Sequence, residues 1–166
     1  VKRILTLKFK LGLFDDPYKY SSLIREKNVV GSSAHLDLAL EAALKSIVLL
    51  KNENQLLPLK KNQKIAIIGA LANDSDAPLG NWRAHASSNS AINLLDGMRT
   101  VFESNFTFAK GCKLSVGSNN FFEELKINNS DYSGFSEAVD LARKSEIVVI
   151  ALGEPTYMSG EGRSRS

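Results

Sequence analysis

The 166 residues include one cysteine, Cys112, and two histidines, His35 and His85. A single thiol closes no internal disulfide and builds no zinc knuckle. No apolar run approaches the ~20 residues that cross a bilayer, so no membrane span is expected. No signal-peptide pattern opens the sequence. Because it starts at Val1, in what reads as mid-helix, that silence carries no information about targeting. Charge of either sign is also unconcentrated. The net charge is +3, and the densest basic stretches, "VKRILTLKFK" and "LKKNQK", lack the interleaved aromatics of a nucleic-acid surface. No nucleic-acid partner is expected. Finally, the glycine triplet of a dinucleotide fold is missing: in "IAIIGALAND" Gly69 is followed by Ala70, Leu71 and Ala72, leaving no bare backbone for a pyrophosphate.

What remains is 43% apolar residues and 23% charge, the balance of a globular domain with a real core. "VKRILTLKFKLGL" places Ile4, Leu5, Leu7, Phe9 and Leu11 near helical spacing, with Gly12 as C-cap and "DDPY" as the stop. "KYSSLIREKNVVGSS" shows no clear period and reads as a linker. From Ser33 to Leu50 an Ala/Leu-rich segment, capped by Ser32 or Ser33, is apolar nearly all round, which predicts a helix covered on more than one side. Pro58 forbids its continuation.

Three later runs read as strands: "KIAIIGA" (64 to 70), which is short, β-branched, apolar and unalternating, "FTFAKGC" (106 to 112) and the strongly apolar "EIVVIALG" (146 to 153). Such runs suit strands of a parallel sheet buried under helices. Between them, 91 to 102 reads as one helix, and 133 to 145 as another, with a capping box from Ser133 or Ser136 into Glu137. The fold class is therefore α/β. The commonest winding sets the first strand between the other two, with the loops after Gly69 and Gly153 on one edge, where ligands bind. Three strands make a thin sheet, and the open flank of the last predicts a truncated domain.

The polar loop "APLGNWRAHASSNSA" carries the sole tryptophan, Trp82, beside Arg83 and His85. Trp82 either packs beneath its own loop or offers a flat ring to the apolar face of a sugar. His85 either bonds a hydroxyl or is a loop residue without chemistry; His35, at a helix start, reads as structural. In "GEPTYMSGEGRSRS", Glu154 follows the strand directly and can bond nearby backbone. Glu161, between Gly160 and Gly162, is either an exposed loop carboxylate or one that swings toward a ligand. Three Asn-x-Ser/Thr triplets, at Asn73, Asn105 and Asn128, are too short a pattern to weigh.

"LKFKLGLFDDPY", "EAALKSIVLLKNENQLLPL", "KIAIIGALAND", "GNWRAHA" and "GEPTYMSGEGRSR" occur in this order along essentially the whole chain. In that order and spacing the sequence resembles the family 3 glycoside hydrolases, bacterial β-glucosidases in particular. The resemblance implies a (β/α)8-type barrel followed by a three-layer α/β sandwich of about six strands. It assigns residues 1–16 to the last barrel helix, 17–33 to an interdomain linker and 34–166 to the first part of the sandwich, with three of its strands. It further implies retaining, exo-acting hydrolysis of β-glucosides or β-xylosides, with no cofactor or metal, in a periplasmic or secreted enzyme. The nucleophile, an aspartate of the barrel, is absent from this stretch, so the chain by itself is expected to be inactive. By motif the acid/base is Glu161, with Glu154 anchoring the loop, Trp82 touching substrate, and Arg163 and Arg165 turned away from Glu161. The alternative is a non-catalytic α/β module binding carbohydrate or a partner through the Trp82 loop.

Overall fold

A computed structural model describes residues 1–119, 123–160 and 163. The chain divides into two units, residues 1–56 and 57–166.

The first unit is helical: α1 (Lys2–Lys10), α2 (Leu23–Val29) and α3 (Ser33–Ser46). Gly12 ends α1 as expected, at φ +72°, with its amide on the Phe9 carbonyl at 2.9 Å and the Leu13 amide on the Lys8 carbonyl at 3.1 Å. This paired return of two amides onto the last turn requires a left-handed residue, which glycine supplies without steric cost. The stretch read as a linker contains α2, whose first turn is capped by Ser22 Oγ accepting from the Arg25 amide at 3.2 Å. Seven residues with one good cap suffice for two turns, too few to show a period in sequence.

Helix α3 begins at Ser33 but stops at Ser46, where Ile47 turns extended. The chain's own described residues do not supply the burial expected of α3: none of it is buried among them, and Leu36, Leu38, Leu40 and Leu44 are all exposed. An apolar surface all round states that a helix needs neighbours, and the first unit supplies no layer to cover it.

The second unit contains β1 (Ile65–Ile68), α4 (Leu94–Phe102), β2 (Phe106–Ala109), α5 (Phe135–Arg143) and, beyond it, a last strand; the hairpin-like pair β3 (Ser115–Val116) and β4 (Lys126–Ile127) lies between β2 and α5. The last strand, β5, spans Ile147–Ile150. The sheet order is β2-β1-β5, wholly parallel, with Ile67 opposite Phe108 on one side and Val149 on the other. The first strand is thus central, as the winding predicted. Right-handed crossovers in opposite directions put α4 and α5 on opposite faces. Ile65 and Ile67 pack with Leu95 and Phe102 of α4, and each fully buried isoleucine contributes about 1.5–3 kcal/mol. The antiparallel pair β3-β4 was not anticipated, since two-residue strands leave no pattern to read.

Two glycines permit close backbone approaches. A Cβ on Gly69, which has φ +130°, would lie 2.3 Å from the Ala151 carbonyl oxygen, so β1 and β5 can part only through a glycine there. A Cβ on Gly134 would lie 2.1 Å from the Gly111 oxygen. That contact explains the start of α5. The expected serine capping box is not formed; Gly134 occupies the N-cap without a side-chain bond, and Ser133 Oγ instead bonds Asp131 Oδ1 at 2.6 Å. Those bonds from the Ser133 hydroxyl and then its amide hold the Asp131 carboxyl below the ordinary aspartate range.

Candidate active site at the sheet edge

The loops leaving β1 and β5 emerge on one edge of the sheet, at the point where the winding reverses. After Gly69 the chain makes a tight 3-10 turn, Ala70–Asn73, and then a second, Ala77–Leu79. Asp74 Oδ1 accepts from the amides of Asp76 at 2.8 Å and Ala77 at 2.9 Å, which satisfies the start of the second turn. Gly80, at φ +74°, redirects the chain into Asn81 and Trp82. The far end of the loop is fixed by Asn93, a buried side chain that caps α4 on the Asp96 amide at 2.9 Å and donates to Ser75 Oγ at 2.8 Å.

Within the loop, Arg83 Nη1 is bonded to Asp76 Oδ1, and the Asn89 amide donates to the same oxygen at 3.0 Å. The Arg83 guanidinium, followed by the Asn89 amide, holds the Asp76 carboxyl below its usual range.

The closing loop begins with exposed Glu154, turns over buried Pro155 and Met158, and meets the Trp82 loop at Ser159. Asn81 Nδ2 donates to Ser159 Oγ at 3.1 Å. Gly160, at φ +108°, lies so close that a Cβ would sit 3.1 Å from Asn81 Nδ2. Tyr157 OH accepts from Ser115 Oγ at 3.2 Å, tying the closing loop to β3. Between the loops lies a cavity of about 220 Å³ walled by Asn81, Trp82, Tyr157, Ser159, Gly160 and Arg163. A second cavity, about 310 Å³, shares the Tyr157 wall and is lined by Asp74, Lys110 and Lys113.

Trp82 does not pack beneath its own loop: it is 72% exposed at the cavity wall. Arg83 is off the cavity wall and paired with Asp76, and His85 is exposed and also off the wall. His35 is exposed on the first turn of α3. Arg163 lines the cavity, with Nη2 3.5 Å from the Glu123 carbonyl oxygen. Glu161 and Arg165 lie outside the described residues. Sequence reasoning missed Asp76, Asn81, Asn93, Tyr157 and Ser159. Of these, only Asn93, three residues before Asp96 at the head of an apolar run, carried a local signal, that of an N-cap.

An apolar ring standing beside amide and hydroxyl groups on one cavity wall suits a sugar, which offers an apolar ring face and a rim of hydroxyls. Comparison with known proteins decides the lineage. The glycosyl hydrolase family 3 C-terminal domain matches residues 47–166. The chain belongs to that family.

A periplasmic beta-glucosidase of Salmonella typhimurium is 33% identical to the family 3 chain over 178 residues, covering 99% of this chain and 23% of that protein. A beta-xylosidase of Formosa agariphila is 34% identical over 172 residues, covering 99% and 22%. Among solved structures, a beta-glucosidase from Listeria innocua in complex with laminaribiose superposes with a TM-score of 0.75 at 32% identity, covering 96% of this chain and 20% of that one. The chain thus spans about a fifth of the length of these relatives. The parallel α/β architecture agrees with the Listeria structure. No helix among the described residues is long and apolar enough to cross a membrane.

Proposed function

We propose that this chain is the acid/base-bearing part of a retaining, exo-acting β-glucosidase or β-xylosidase, working in the periplasm or outside the cell. The observation that carries this reading is the cavity at the sheet edge, where exposed Trp82 faces a loop whose Gly160 and Arg163 both line the wall. Glu161 stands between those two in sequence. Its family motif makes it the proton donor. Relatives named as beta-glucosidases and beta-xylosidases support the substrate class.

Retaining hydrolysis needs two carboxyl groups about 5–5.5 Å apart: one attacks the anomeric carbon, the other protonates the leaving oxygen and then deprotonates water. Glu161 fills the second role, while the first falls to an aspartate on a barrel domain elsewhere in the complete protein. To donate at neutral pH, Glu161 must keep its proton, which desolvation and the partner carboxylate favour. Trp82 stacks against the leaving sugar, and the Asn81 and Ser159 groups beside it fit the hydroxyl rim.

Glu161→Ala in the complete protein tests the assignment. The expected result is a loss of about a thousandfold with poor leaving groups such as a disaccharide, far less with a dinitrophenyl glycoside, and rescue of the latter by azide. Equal losses across leaving groups, without azide rescue, would reject Glu161 as the acid/base.

A further inference from the structure

Trp82 is too exposed to fix its own orientation by packing, and the chain around it, "NWRAHASSNS", offers no other large apolar side chain. Polar contacts must therefore set its position. Its preceding neighbour, Asn81, is tied to Ser159 across the cavity. Its following neighbour, Arg83, is tied to Asp76, and the same carboxylate oxygen takes the Asn89 amide. One oxygen thereby closes the arch from 83 to 89. Arg83 Nη2 adds a long bond, 3.5 Å, to Ser88 Oγ inside that arch. Two residues of the arch sit in the left-handed region without being glycine: Ala84 at φ +50° and Asn89 at φ +57°. Alanine holds such a conformation only where its surroundings impose it, and the clamped groups flank both positions. The side chains of Arg83 and Asp76 are 23% and 27% exposed, so the pair is not the fully solvated kind that contributes nothing measurable.

We infer that Asp76 is a positioning residue for the leaving-sugar platform: through Arg83 and the Asn89 amide it holds Trp82 in the orientation that receives the aglycone. This rests on the reading of Trp82 as a substrate-facing ring. It gives two arginines separate tasks. Arg83 serves the loop through Asp76, while Arg163 stands on the cavity wall. It also assigns a division of labour, in which Asp76 influences substrates that carry a leaving sugar and is silent toward those that do not.

The test uses the complete protein with laminaribiose or xylobiose, set against a glycosyl fluoride whose leaving group reaches no platform. Asp76→Ala is expected to raise the disaccharide KM about tenfold with kcat within about twofold, and to leave kcat/KM for the fluoride within about twofold. Asp76→Asn, which keeps an acceptor for the Asn89 amide but loses the charge that holds Arg83, is expected to give a rise of about threefold and serves as the readout should the alanine variant not fold. The double variant Asp76→Ala/Trp82→Ala is expected to be no worse than Trp82→Ala, because two residues acting through one contact do not add. If the two losses multiply, or if both Asp76 variants slow the fluoride as much as the disaccharide, Asp76 is a general structural residue and the inference is overturned. If Trp82→Ala leaves the disaccharide KM unchanged, it is the reading of Trp82 that fails, a separate result.

Discussion

β1 and β5 have nearly the same composition, Ile-Ala-Ile-Ile and Ile-Val-Val-Ile, and pair with each other in register. Yet Ile65, Ala66 and Ile67 of β1 are buried, whereas every second residue of β5 is exposed, Ile150 at 58%. The two strands differ in place, not in chemistry: β1 has a strand on each side and a helix on each face, and β5 has one neighbour in the sheet. A hydrophobic sequence thus states a capacity for burial, and topology decides how much of it is used. Their outgoing loops differ too. The loop after β1 is clamped by a charged pair, Asp76–Arg83, and the meeting of the two loops relies on neutral bonds such as Asn81–Ser159.

The largest expected effect comes where the two strands part. Gly69→Ala sets a Cβ against the Ala151 carbonyl at a backbone angle hostile to side chains, so a loss above about 4 kcal/mol, or failure to fold, is expected in urea denaturation. A loss under about 1 kcal/mol would show that the close approach relaxes cheaply. Next, Ile67→Ala removes a fully buried side chain and should cost about 3 kcal/mol. Ile150→Ala in β5 should cost no more than about 1 kcal/mol. Equal costs would break the contrast, and would mean that β5 is covered in the protein as measured.

The smallest effect is in pH. The Asp76 carboxyl is held below its ordinary range, so its contribution is complete above the unfolded value of about 3.9 and disappears as pH falls through the lower folded value. Protection of the Asn89 amide, taken against its intrinsic exchange rate at each pH, should therefore fall only below about pH 4. The Asn81–Ser159 bond, with no titrating group, should not respond in that window. A loss of protection starting near pH 6 would exclude Asp76 as the clamp.

Much of the second unit was legible from local pattern. Short apolar runs marked β1, β2 and β5, the first of them β-branched and unalternating as suits a strand buried on both faces, and right-handed crossovers then restricted the order. Gly12 was legible because the left-handed close of a helix selects glycine. By contrast, α5 starts at Gly134 and not at a serine because the Gly111 carbonyl, more than twenty positions earlier, sits where a side chain would be. The same limit hid Asp76. An aspartate seven residues before an arginine has no local period, and only the fold of the loop brings them together.

The sequence by itself determined the α/β class, the three strands of the parallel sheet and the family motifs, because those depend on residue type and near-neighbour spacing. Tertiary structure alone decided that Trp82 stands exposed and that Arg83 pairs with Asp76. Each of those outcomes depends on which distant groups occupy the adjoining space, and that information resides in the packing of the whole chain rather than in any segment.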